Sequence, residues 1–163
     1  MYFMTQTNMN IADMDIEKLR TWLILLRRVG SLKKSMDAVF HENFGVSLSR
    51  FDVLSALERS DKDGLKAGEL TKLLVVTDGN TTQVTNKLVR DGLLVRRTDH
   101  RDRRCVIYAL TDAGRDMFHK MAANNMKQVA HIFREFDAQD LTTLQNLLEK
   151  FDKDGSTRTQ DIS

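Results

Sequence analysis

The chain has 163 residues and carries 25 Lys and Arg against 23 Asp and Glu, a formal net charge of only +2. That length suits one domain with a real core, and the near-balance of charge excludes a globally basic nucleic-acid coat, so any such binding has to come from local clustering. A single cysteine excludes an intrachain disulfide and a cysteine-based zinc site, and no apolar run is long enough for a membrane span.

The opening Met1–Gln6 lacks the charged and apolar regions of a signal peptide, so a cytoplasmic protein is expected. Residues 1–14 are polar and Met-rich without clear periodicity and are expected to form a flexible arm. A first helix is expected from Asp15, with Leu19, Trp22, Leu23, Leu26 and Val29 in a stripe at helical spacing. Leu32, Met36, Val39 and Phe40 continue the stripe past Gly30, where a bend is expected, and Phe44-Gly45 closes the segment. Ser47 is the expected cap of a second helix over residues 48–60, with Phe51, Leu54 and Leu57 inward. A third helix is expected over about residues 67–75, without a Ser, Thr or Asp at its cap.

The stretch from residue 69 to residue 110 organises the rest. Thr77 or Asp78 can cap a helix in which Thr81, Val84, Thr85 and Leu88 form the inward face. Its other face carries Asn80, Thr82, Gln83, Asn86, Lys87 and Arg90, with no acidic residue among them. Amides can pair bidentately with adenine, and Lys or Arg can reach guanine or phosphate. An ordinary solvated face mixes charge signs instead. Gly92 suits the left-handed position that ends a helix. Residues 93–97 and 105–110 then read as two strands. The connection between them is too long for a tight turn and holds Arg101, Arg103 and Arg104, with Arg96 and Arg97 at its base. Asp99 and Asp102 partly neutralise it, and one of them is expected to pair with an arginine and shape the loop. The plainer alternative is a salt-bridged surface hairpin.

Thr111 is the expected cap of a long helix whose apolar positions run from Met117 to Phe136. Asp137 and Asp140 open a last helix whose apolar set is Leu141, Leu144, Leu147, Leu148 and Phe151, and residues 153–163 are polar and expected to be disordered.

The order helix, turn, helix, strand, arginine loop, strand is that of a winged helix-turn-helix. Leu88 with Gly92-Leu93, then Asp102-Arg103-Arg104, then Leu110-Thr111 with Gly114, occur in order and at fitting spacing. In these motifs, over roughly residues 15–152, the chain resembles the MarR family of bacterial transcriptional regulators. The resemblance implies a mainly α fold with a small β-wing (α+β). Within one MarR-type domain over 15–152, a winged helix-turn-helix lobe would cover 47–110 and dimerisation helices 15–45 and 112–152. It also implies a short edge strand at Leu65-Lys66 and double-stranded operator DNA as partner. Asn80, Thr82, Gln83 and Asn86 would then read base edges, and Lys87, Arg90 and the wing arginines would meet phosphates. Arg101 or Arg103 would reach the minor groove, and Asp102 would brace the wing through Arg104.

The first and last helices carry more apolar surface than so small a domain covers, which points to a homodimer, as the resemblance also implies. Many members of the family bind small aromatic acids, phenols or their thioesters in a cleft, and Trp22, Arg27, His41, Phe44 and Phe51 are candidates to face one. Core or interface is the plainer reading for Trp22 and the phenylalanines. Gly79-Asn80 and Phe118 with Met121-Ala122 resemble members that control aromatic-acid catabolism, so a repressor relieved by a small aromatic acid or its CoA thioester is expected. Cys105 is set aside as a redox sensor because it falls on a wing strand, although arginine neighbours would lower its pKa. The four histidines form no metal pair at useful spacing. No phosphate loop, nucleophile elbow or carboxylate pair stands out, so neither cofactor nor enzymatic activity is expected. The rival reading is a winged-helix protein-interaction module that does not touch DNA. The acid-free face argues against it, since such a surface more often presents apolar anchors.

Overall fold

Helices carry most of the chain, and one small antiparallel sheet completes it, in a computed structural model that describes residues 4–60, 63–74, 81–100 and 102–151. The elements are α1 (Met4–Phe44), α2 (Leu48–Glu58), β1 (Leu65–Lys66), α3 (Ala67–Leu73), α4 (Thr81–Arg90), β2 (Leu94–Thr98), β3 (Val106–Leu110), α5 (Asp112–Ile132) and α6 (Ala138–Leu148). The mainly α fold with a β-wing is the architecture expected. The chain divides into two compact units, residues 1–124 and 125–163, and α5 passes from the first into the second.

Helix α1 opens at Met4 and not at Asp15, so helical backbone covers most of the segment assigned to a flexible arm. No Gly or Pro interrupts residues 4–14, and extending an existing helix adds one hydrogen bond per residue fixed. The helix also runs through Gly30 without a break and ends at Phe44, before Gly45 at φ 67°.

Ser47 takes the N-cap position of α2, but its side chain makes no capping bond. Asp37 does the work from α1: its Oδ1 accepts from the Leu48 N–H at 2.7 Å. A carboxylate is favoured there by the positive end of the helix dipole. At α3, Lys66 stands at the cap position, and Glu69 Oε2 reaches back to accept from the Lys66 N–H at 3.0 Å. That is half of a capping box, and it resolves the missing cap without a Ser or Thr. Helix α3 stops at Leu73, and Leu74 is already extended.

The sheet order is β1-β3-β2, with β3 paired on both edges. Val106, Ile107 and Tyr108 are strand-favouring residues, which suits the central place of β3. The short strand at Leu65-Lys66 forms as expected and pairs Leu65 with Tyr108 and Lys66 with Ile107. Strand β2 lies in register with β3 from Leu94 opposite Leu110 to Thr98 opposite Val106.

The core of the first unit draws on nearly every element. Phe40 of α1, Val53 and Leu54 of α2, Leu70 of α3, Leu88 of α4, Leu94 of β2, Tyr108 of β3 and Met121 of α5 are all buried in one cluster. Burying each such side chain contributes about 1.5–3 kcal/mol. Phe51 stacks between Phe40 and Phe118, with ring centroids 5.0 Å and 5.8 Å away. The earlier half of α1 behaves differently: Leu19, Trp22, Leu23, Ile24, Leu26 and Val29 are between 41% and 60% exposed.

In the second unit, α5 ends at Ile132, short of the expected Phe136. The Arg134 N–H donates to His131 O and the Phe136 N–H to Phe133 O, tightening the last turn into i→i+3 spacing. The Phe133 and Phe136 rings meet edge to face at 5.3 Å. Asp137 then caps α6: its Oδ1 accepts from the Asp140 N–H at 2.8 Å, and Asp140 Oδ2 accepts from the Asp137 N–H at 3.2 Å. Leu147, Leu148 and Phe151 are exposed.

Candidate nucleic-acid interface

The candidate interface is built on α4. Its inward face is the expected one: Thr85 and Leu88 are buried, Thr81 and Val84 half-buried. Thr85 is fully buried, and its hydroxyl is satisfied by the Thr81 and Thr82 carbonyls at 2.9 Å and 3.1 Å. This fixes the rotation of the helix. Thr82, Gln83, Asn86, Lys87 and Arg90 consequently all face solvent. Lys87 and Arg90 lie in the last turn, where cations suit the negative end of the dipole.

The end of α4 is anchored by the two glycine motifs acting on each other. Gly92 has φ 72°. The Leu93 N–H donates to Leu88 O at 2.9 Å and the Gly92 N–H to Val89 O at 3.0 Å, a Schellman cap. Thr111 then clamps this turn. Its hydroxyl donates to Gly92 O at 2.7 Å and its N–H to Leu93 O at 3.1 Å. The same hydroxyl accepts from the Gly114 N–H at 2.9 Å and so caps α5, as expected. Gly114 lies so close that a Cβ there would stand 2.0 Å from Leu93 O. The spacing Leu88-Gly92-Leu93 and Thr111-Gly114 is therefore one contact read twice.

The wing continues from this anchor. Asp102 Oδ1 accepts from the Arg104 N–H at 3.0 Å, and the Cys105 N–H donates to Asp102 O at 2.9 Å. The brace thus runs through the Arg104 main chain. Asp99 pairs with Lys66 Nζ at 3.2 Å, linking the wing to the start of α3. That neighbour raises the Lys66 pKa, chiefly through its hydrogen bond and then its charge. Arg103 and Arg104 are exposed.

Cys105 is half-buried, with Sγ 3.3 Å from Asp102 Oδ2. This hydrogen bond, followed by burial, raises the thiol pKa. The expected arginine effect is overturned: the nearest charged partner is an acid, and it favours the protonated thiol.

Asn80, Arg101 and the cap at Thr77 or Asp78 lie outside the described residues, as does the tail at 153–163. The structure brings together Thr82, Gln83, Asn86 and Arg90 of the α4 face and adds Arg96 of β2. Thr82, Gln83, Asn86, Val89, Arg90 and Arg96 line one open groove of about 620 Å³. Arg96 reads in sequence only as the base of a hairpin, and the register that carries it to the helix is tertiary. Of the cleft candidates, Phe44 and Phe51 pack against the core, while Trp22 and His41 are exposed. Among the described residues there is no helix long and apolar enough to cross a membrane and no cluster of three or more His, Cys, Asp or Glu that could hold a metal ion.

The MarR family model matches residues 44–104. The transcriptional activatory protein BadR of Rhodopseudomonas palustris is 27% identical over 146 residues, covering 88% of this chain and 83% of the relative. The HTH-type transcriptional regulator YkoM of Bacillus subtilis is 31% identical over 106 residues, covering 65% of this chain and 68% of the relative. A MarR family regulator from Silicibacter pomeroyi superposes with a TM-score of 0.73 at 28% identity, over 87% of this chain and 98% of the other. Sco3205 of Streptomyces coelicolor, solved in complex with DNA, shares the fold at a TM-score of 0.78 and 18% identity, over 89% of this chain and 91% of the other. The relatives are regulators of transcription and not enzymes, and the chain belongs to the MarR family of transcriptional regulators.

Proposed function

We infer that this regulator is a homodimeric DNA-binding repressor of a pseudo-palindromic operator, released by a small aromatic acid or its CoA thioester. The observation that carries the DNA reading is the α4 face: Thr82, Gln83, Asn86, Lys87 and Arg90 are all exposed, and none is acidic. Thr82, Gln83 and Asn86, with Asn80 before them, read base edges in the major groove. Lys87, Arg90, Arg96, Arg103 and Arg104 meet phosphates and set the register. Arg103, with Arg101, reaches the minor groove, and Asp102 holds the wing in shape for it.

The exposed stripe on α1 from Leu19 to Val29 supports the dimer, as do the exposed Leu147 and Leu148 of α6 and Phe151 just after it. An isologous pairing of such faces sets two recognition helices about one DNA turn apart. The effector reading rests on the aromatic-acid resemblance of Gly79-Asn80 and Phe118 with Met121-Ala122. Release follows if the effector binds better to the spacing of helices that does not fit DNA.

The test is binding of the purified protein to the DNA upstream of its own gene, against scrambled DNA, across salt, with a panel of aromatic acids and their CoA thioesters. Selective, salt-dependent binding released by one compound is the expected result. Absence of selectivity at every salt overturns the DNA reading in favour of a protein-interaction module. A reporter transcribed from the same DNA decides the direction of regulation, on which BadR is named as an activator. Repression without effector is expected.

A further inference from the structure

Asp91 stands at the C-terminal end of α4, where the helix dipole turns its negative pole outward and an acid is disfavoured. A cation from another element compensates it: Arg50 Nη1 of α2 donates to Asp91 Oδ2 at 3.0 Å. The Arg50 side chain is 7% exposed and that of Asp91 44%. A buried guanidinium facing a half-solvated carboxylate adds little net stability, because desolvation offsets most of the attraction. Arg50 Nη2 is moreover buried without a hydrogen-bond partner. An unmet buried donor weakens any case for the pair as a stabiliser. What the pair supplies is direction, across a separation of 41 residues, between the helix behind the site and the end of the helix that carries it.

We propose that Arg50 is a positioning residue that grips the end of α4 through Asp91 and sets the angle at which Thr82, Gln83 and Asn86 are presented to DNA. The proposal rests on the DNA-binding reading above. Arg50 acts through Asp91 because it is too buried to meet a phosphate itself.

The experiment uses the full chain and the duplex that the wild-type protein selects best from a random pool. Arg50→Met, Arg50→Lys and Asp91→Asn are compared for affinity to that duplex and to random DNA across salt, and for amide hydrogen exchange at residues 90–93. In Arg50→Met and Asp91→Asn the selected-over-random ratio falls about tenfold. The salt slope stays unchanged, and the Leu93 amide exchanges faster. Arg50→Lys keeps a charge toward Asp91 and recovers most of the ratio. If Arg50→Met does not fold, Asp91→Asn carries the test, being of equal size and half-exposed. An unchanged ratio in a folded variant overturns the proposal. So does equal weakening on both duplexes with the slope reduced by about 1, which marks a direct phosphate contact. If the wild-type protein prefers no duplex, the DNA reading fails and the exchange measurement decides alone: unchanged exchange refutes the grip on α4, and faster exchange supports it.

Discussion

Gly114→Ala is the sharpest probe of how the recognition helix is held. A Cβ at Gly114 would meet Leu93 O at 2.0 Å, where contacts under 3.0 Å essentially do not occur, so something must move by 1 Å. The atom met is backbone, and it already accepts from the Thr111 N–H at 3.1 Å. Overpacking of this kind costs about 1–3 kcal/mol, and disturbing that hydrogen bond adds about 1 kcal/mol. Opposing both, Ala is about 1 kcal/mol better than Gly inside a helix. The net expectation is a loss of about 1–3 kcal/mol. For a chain of this size each kcal/mol shifts Tm by about 2–4 °C, so the melting point falls by about 2–12 °C. Urea and thermal unfolding at fixed protein concentration measure it, with Gly68→Ala as the control. Gly68 lies in α3 with nothing within 4 Å of its would-be Cβ, so that variant gains up to about 1 kcal/mol from propensity. A Gly114→Ala protein as stable as the wild type refutes the clamp.

Gln83→Ala loses about 1–3 kcal/mol on the selected duplex only, so competition with random DNA separates base reading from general weakening. Equal loss on both duplexes counts against it. Arg103→Ala lowers the slope of log affinity against log salt by about 1, and an unchanged slope removes Arg103 from the phosphate set. Leu23→Glu combined with Leu26→Glu on α1 shifts the protein toward monomer in light scattering, and an unaltered mass assigns that stripe elsewhere. Cys105 alkylates more slowly than a free thiol at pH 8, because the raised pKa leaves less thiolate. Alkylation as fast as a free thiol overturns the Asp102 assignment. Lys66 is held raised above its ordinary 10.5 by Asp99. Its contribution is therefore fully present below pH 10.5 and lost only as pH rises through the higher folded value, so the protection of wing amides relative to their intrinsic exchange stays flat from pH 6 to 9, and protection that falls in that window removes the Lys66 link.

Much of the helical pattern and the wing is legible without the structure, because those signals are local. The rotation of α4 follows from Thr81, Val84, Thr85 and Leu88, whose spacing is set by 3.6 residues per turn. The end of α4 follows from Gly92, since few other residues adopt a left-handed turn at little cost. Elsewhere local rules leave a choice that packing decides. Ser47 is an excellent cap by type, yet Asp37 reaches the Leu48 N–H from a neighbouring helix. The start of α1 carries neither stop nor cap signal, and the helix extends through it to Met4.

What the sequence by itself determined is the element order, the inward and outward faces of α4 and the cationic content of the wing. These depend on residues within a few positions of one another. Only the tertiary structure decided which distant groups meet: Arg50 with Asp91, Lys66 with Asp99, Arg115 with Glu58, and Arg96 with the groove of α4. Arg50 of α2 is buried in the structure. Its partner becomes definite only when packing brings the end of α4 within hydrogen-bond reach, because a charge can be buried only beside a group that compensates it.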